Sequence, residues 1–120
     1  MGQYARPVFL TIAVDFDGVI ATYDNGWSEG LITGELMEGA EKALRKLVEK
    51  GYQVVIFTAR MNKESPMQKP YAMIENWLTA HGMKKGVHWH DITAEKPKAI
   101  AYIDDRAIRF TNWRDMLNYF

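Results

Sequence analysis

Apolar and polar positions follow two different periods along the chain. Residues 8–14 are uncharged and rich in β-branched side chains, and the run stops on Asp15. A continuous run of this kind predicts a strand covered on both faces, over residues 8–15. Residues 18–33 scatter Gly18, Asp24, Asn25, Gly26 and Gly30 among short apolar pairs. They predict a turn followed by a small hairpin or flap, with Asn25-Gly26 as the tight-turn signal. The period then changes. Ala40, Ala43, Leu44, Leu47 and Val48 share one face at helical spacing, so residues 39–50 predict an amphipathic helix. Gly51 stands at its C-terminal end and lysines fill the last turn.

A second uncharged run, residues 53–57, predicts a strand that ends on Thr58. Residues 60–70 read as a polar loop. Pro70 opens a second helix, at the first-turn position proline prefers. That helix runs to about Ala80, with Ala72, Met73, Trp77 and Leu78 inward, and Gly82 ends it. Residues 86–92 alternate and predict a short edge strand that carries His88 and His90 on one face. Lys96-Pro97 breaks the chain. Residues 99–103 predict another strand, ending on Asp104-Asp105. A short extended piece at 108–110 and a helix from about Asn112 to Tyr119 follow, with Thr111 or Asn112 as N-cap.

Strands alternating with helices predict an α/β fold with a parallel, helix-covered sheet and right-handed crossovers. At 120 residues the chain is expected to form one domain, residues 1–120. There is no cysteine, which removes disulfides, thiol catalysis and cysteine zinc sites. The formal charge is zero, so no broad basic field holds nucleic acid or an anionic membrane, although one strand end or one phosphate could still be held. No run approaches the length of a membrane span, and the first residues lack an apolar signal core. The expectation is a soluble, cytoplasmic protein with no membrane partner.

Three predicted strands end on polar groups: Asp15 with Asp17, Thr58, and Asp104 with Asp105. In a parallel sheet those ends lie on one edge, where open α/β sheets bind ligands. Several carboxylates with no imidazole or thiol suit a hard cation such as Mg2+. Without one, close carboxylates repel and raise one another's pKa values. With one, a carboxylate can approach an anionic phosphoryl group and attack it, giving an aspartyl-phosphate. Phosphoryl transfer asks mainly for positioning and charge neutralisation. Thr58 fits a donor to the phosphoryl oxygens, Lys96 a fixed cation, and Asp17 the acid and base.

Asp15-Phe16-Asp17-Gly18-Val19-Ile20, Phe57-Thr58-Ala59-Arg60, Lys96-Pro97 and Tyr102-Ile103-Asp104-Asp105 resemble, in order, the four motifs of the haloacid dehalogenase superfamily of phosphatases. The resemblance covers about residues 8–105. It implies a Rossmann-like three-layer α/β/α sandwich with a mostly parallel sheet, and a Mg2+-dependent phosphomonoester hydrolase. It makes Asp15 the nucleophile and a metal ligand. It makes Asp17 the acid and base, with its backbone carbonyl on the metal. Thr58, Lys96 and Gly18 belong to the phosphate-binding set, and Asp104 with Asp105 holds the metal. Lys98 competes with Lys96. Arg60 either contacts substrate phosphate or pairs with an acid. The intervals between motifs leave no room for a cap domain. A capless site admits bulky phosphorylated groups, from small metabolites to a nucleic-acid 3′-phosphate end, or is covered by a second copy of the chain.

Two other readings compete. One is a degenerate domain of the same family that only binds phosphate or a partner. The other is a receiver-like phospho-acceptor module, in which the acid pair and the phosphorylated aspartate lie on different strands. Outside the motifs, Tyr23 and Trp27 of the flap are split between substrate contact and packing. Lys63 and Lys69 read as solvated charges or steering groups. Trp113, Met116, Leu117 and Phe120 read as a core-facing stripe.

Overall fold

Apolar runs form the central strands and amphipathic runs the helices, in the order β1 (Thr11–Asp15), α1 (Ala40–Glu49), β2 (Gln53–Phe57), α2 (Pro70–Ala80), β3 (Asp91–Thr93), β4 (Ala101–Asp104), β5 (Ile108–Arg109) and α3 (Trp113–Leu117). The computed structural model describes residues 10–22, 32, 34–62, 69–104, 108–109, 112–118 and 120. The ends of the helices follow from local chemistry. Gly51 has φ +97°, and the N–H groups of Gly51 and Tyr52 donate to the Val48 and Leu47 carbonyls at 3.0 and 3.1 Å. This closes α1 with the bond pair of a Schellman motif, whose left-handed residue is best supplied by glycine. Pro70 occupies the first turn of α2. The Asn112 side chain caps α3 by accepting from the Asp115 N–H at 2.9 Å.

The sheet is parallel throughout, in the order β3-β2-β1-β4-β5. Sequence neighbours β1 and β2 pair, the chain continues outward to β3, then returns to the far side of β1 for β4. The order therefore reverses direction at β1, and the crevice at such a switch point is where parallel sheets bind ligands. Register sets the two faces. Ile12 pairs with Val54, Val14 with Ile56 and Ile103, and Ile56 with Ile92. These side chains share one face and join a hydrophobic cluster with Ala40, Ala43, Leu44 and Leu47 of α1, Ile74 and Leu78 of α2, and Trp113 and Met116 of α3. Each fully buried aliphatic side chain here contributes roughly 1.5–3 kcal/mol.

The other face carries Ala13, Val55 and Tyr102, one register row below Asp15 and Phe57. The segment after β3 meets this face: the Tyr102 hydroxyl donates to the Pro97 carbonyl at 2.7 Å. The buried residues of all three helices belong to the single cluster, so the second helical layer of a three-layer sandwich is not formed among the described residues. No helix of the described residues is long and apolar enough to cross a membrane.

Several expectations need correction. Residues 86–90 are not strand. Gly86 has φ +87°, Lys84 and His88 close a turn, and only Asp91–Thr93 joins the sheet. The sequence alternates Val87 and Trp89 with His88 and His90, but burial does not follow it: Val87 is exposed while adjacent His88 and Trp89 are both buried, as an irregular turn allows and a pleat does not. In α2, Ile74 and Leu78 are the fully buried pair, while Ala72, Met73 and Trp77 lie at the border. Strand β4 begins two residues later than expected, at Ala101. Residues 8 and 9, the tip of the predicted flap with Tyr23 and Trp27, and Lys63 lie outside the described residues.

The base of the flap is within them. The chain leaves the sheet through a turn at residues 18–20 and returns at Leu36, which bridges Ala21 in antiparallel fashion. The Thr22 N–H donates to the Glu35 carbonyl, and the Glu35 N–H to the Thr22 hydroxyl, both at 2.8 Å. A Cβ on Gly34 would overlap the Thr22 carbonyl, so only glycine fits this stem.

Candidate active site

Register delivers the site. Asp15 pairs with Phe57, and one step beyond the Val14–Ile103 pair brings Asp15 beside Asp104. The three residues form a row across β2, β1 and β4 at the C-terminal edge of the sheet. Thr58 follows β2 directly. Its N–H donates to the Thr93 carbonyl at 2.9 Å, and its hydroxyl oxygen accepts from the Arg60 N–H at 3.2 Å, so the side chain is buried and fixed. Asp15, Phe57, Thr58, Ala59, Ala94, Lys96 and Asp104 line one cleft of about 300 Å³. Four of the residues singled out from the sequence, Asp15, Thr58, Lys96 and Asp104, thus come together from three strand ends and one loop.

Lys96 reaches this row across the sheet face. Its Nζ lies 3.1 Å from Asp104 Oδ2, 4.6 Å from the centre of the Tyr102 ring and 5.4 Å from that of Phe57. The two rings meet edge-on at 6.5 Å. An ammonium above aromatic faces and beside a buried carboxylate is held by both ion pairing and cation–π attraction. Of the two competing lysines, Lys96 lines the cleft, and exposed Lys98 is not among its lining residues.

Asp17 is placed differently. The Arg60 guanidinium grips its carboxylate through Nε, at 3.0 and 2.9 Å from Oδ1 and Oδ2, and through Nη2, at 2.9 Å from Oδ1. Arg60 is only 5% exposed, and Asp17 is not among the residues that line the cleft. Of the two roles open to Arg60, the structure gives it the pairing with an acid. The backbone around Asp17 explains its position. The Phe16 carbonyl accepts from Val19, Ile20 and Ala21, and the Gly18 N–H donates to Ala21, which folds residues 16–21 into one tight turn after β1. Gly18 has φ +81° and serves that turn; it does not line the cleft. Asp15 stays at the strand end, where its Oδ1 accepts from the Phe16 N–H at 2.8 Å.

Two acids and one ammonium therefore define the charge of the cleft. Among the described residues no group of three or more acidic or imidazole side chains is arranged to hold a metal ion, and Asp105 lies outside them. The histidines are occupied elsewhere. His88 Nδ1 accepts from the Lys84 N–H at 3.0 Å, which leaves its Nε2–H to donate to Glu41 at 2.6 Å. His90 Nδ1 accepts from the Val54 N–H at 3.0 Å. The His88 bond, with Arg45 beside it, holds the Glu41 carboxyl below the usual carboxylate range.

Sequence reading alone passed over Phe57 and Tyr102 as ordinary strand residues. Their signal was the two-residue alternation: each stands two positions from a row-mate on Asp15's face, but that is visible only once the register is known. No family model, no curated protein and no solved structure matches the chain.

Proposed function

We propose that this chain is a Mg2+-dependent phosphomonoester hydrolase that works through an aspartyl-phosphate on Asp15, with the Rossmann-like architecture of a capless haloacid dehalogenase phosphatase. One observation carries the reading. Asp15, Thr58, Lys96 and Asp104, distant in sequence, line the same cleft at the edge where a parallel sheet binds its ligand.

The residues divide the work by chemistry. A carboxylate oxygen of Asp15 attacks phosphorus and the ester P–O bond breaks. The leaving oxygen takes a proton from Asp17, which then accepts one from the water that hydrolyses the aspartyl-phosphate. The Thr58 hydroxyl donates to a phosphoryl oxygen, and Lys96 neutralises charge between the phosphoryl group and Asp104. Arg60 sets where Asp17 waits.

The donor set suits Mg2+. Two carboxylates, Asp15 and Asp104, face a cleft whose lining has no imidazole, and the chain has no thiol. Those two residues would hold the ion, with the Asp17 carbonyl and Asp105 completing the set that the motif resemblance implies. When bound, Mg2+ supplies neutralising charge for the phosphoryl oxygens.

Hydrolysis of p-nitrophenyl phosphate tests the proposal. Activity should need Mg2+, vanish with EDTA, and fall by at least about 10³-fold in Asp15→Asn, the scale of losing a nucleophile. A Mg2+-independent wild type, or full turnover by Asp15→Asn, overturns the mechanism. A wild type that binds phosphate in the cleft and turns nothing over leaves the degenerate binding domain.

A further inference from the structure

Helix α1 carries two rows of charge with opposite histories. On one flank Arg45 pairs with Glu41 at 3.1 Å and reaches Glu49 at 3.9 Å, and His88 also bonds Glu41. That row is neutralised within the fold. The other flank carries Lys42 and Lys46, one turn apart and both exposed. Neither has an ion-pair partner among the described residues. Exposed Arg114 of α3 joins them around a groove of about 440 Å³, larger than the catalytic cleft, with Ala43, Trp113 and Leu117 beneath.

This arrangement concentrates positive charge. Like charges one helical turn apart repel. Lys42 also stands near the N-terminus of α1, where the helix dipole disfavours a cation. Arg114 adds a third charge from a second helix. The floor is apolar, so the groove offers a ligand both cations and a hydrophobic surface. Its volume lies in the range of small-molecule sites.

We infer that the groove between α1 and α3 binds a nucleotide-sized anion, its phosphates among Lys42, Lys46 and Arg114 and its apolar portion over Leu117, with Trp113 buried beneath. The charge complement of the rim matches a diphosphate. The site is distinct from the catalytic cleft, with which it shares no lining residue. It is joined to that region through Trp113, whose indole Nε1–H donates to the Val19 carbonyl at 3.2 Å. Val19 belongs to the turn that carries Asp17. Occupancy of the groove therefore bears on the turn through one side chain.

ADP is the probe, titrated calorimetrically into the full chain without divalent cation. Wild type and Asp15→Asn should bind one equivalent alike. Lys42→Glu/Lys46→Glu should lose at least about tenfold in affinity, a difference calorimetry resolves readily. Lys42→Ala/Lys46→Ala, which adds no new charge, should weaken binding in the same direction and guards against misfolding of the reversal. The Trp113 indole N–H signal in NMR should shift on titration in wild type and not in the reversal variant. No ADP binding by wild type overturns the proposal. So does binding that survives both lysine variants, or binding lost in Asp15→Asn, which would assign the ligand to the cleft. Tighter binding of an acidic peptide than of ADP also overturns it. All these outcomes are independent of whether the cleft hydrolyses phosphate.

Discussion

Arg60 is the residue whose part changed most between sequence and structure. From its place two residues after Thr58 it could serve either substrate or fold. In the structure its guanidinium takes both oxygens of Asp17. A planar fork is what distinguishes arginine from lysine at such a contact. Arg60→Ala should therefore destabilise the protein by about 2–3 kcal/mol, because it leaves a partly buried carboxylate without its partner. Arg60→Lys should fall between that and wild type. Urea melts measure both, and an Arg60→Ala midpoint equal to wild type would mean that the guanidinium does not hold the turn. Asp15 and Asp104 were legible from the sequence because an acid ending an apolar strand has no structural use. Lys96 over Lys98 was not. Both lysines flank Pro97, and only the crossing of this segment over Tyr102 and Phe57 aims one of them at Asp104.

Among the elements, α1 matches its sequence pattern closely and α2 matches in its bounds, since helix ends are set by local residues such as Gly51, Pro70 and Gly82. The segment before β3 does not, since its alternating sequence folds as a turn that buries the adjacent His88 and Trp89 and exposes Val87. His88 instead ties that turn to α1 through Glu41. The lowered pKa of Glu41 makes this tie pH-dependent. A carboxylate whose folded pKa is depressed contributes stability above its unfolded pKa and loses it as pH falls through the folded one. Glu41→Gln should thus be less stable than wild type near neutral pH, and the difference should close in acid below the carboxylate range. Glu41 is partly exposed, so solvent screening holds the effect to about 1 kcal/mol or less. Thermal melts across pH check this; a difference that persists undiminished in acid would deny the charge a role.

At the scale of the whole molecule, substrate range follows from architecture. Among the described residues the intervals between the four motifs hold two helices and a short strand, and the cleft is lined from the sheet edge and its loops. Under the phosphatase reading, no described element in those intervals covers the cleft. A 3′-phosphorylated oligonucleotide should then be dephosphorylated about as readily as small phosphorylated metabolites, measured by phosphate release across a panel. Strict selectivity for one small substrate would contradict an open site. It would instead require cover from a second copy, and activity would then rise with protein concentration as copies associate.

The sequence by itself determined the order of elements, the buried face of α1 and the acids and hydroxyl at strand ends, because each depends on neighbours within one or two turns of chain. Only the tertiary structure decided the strand order, with β4 returning beside β1, and so decided that Asp104 stands next to Asp15. It also decided which lysine enters the cleft and that Asp17 waits on Arg60. These depend on register and on contacts between segments far apart in the chain, which local periodicity does not encode.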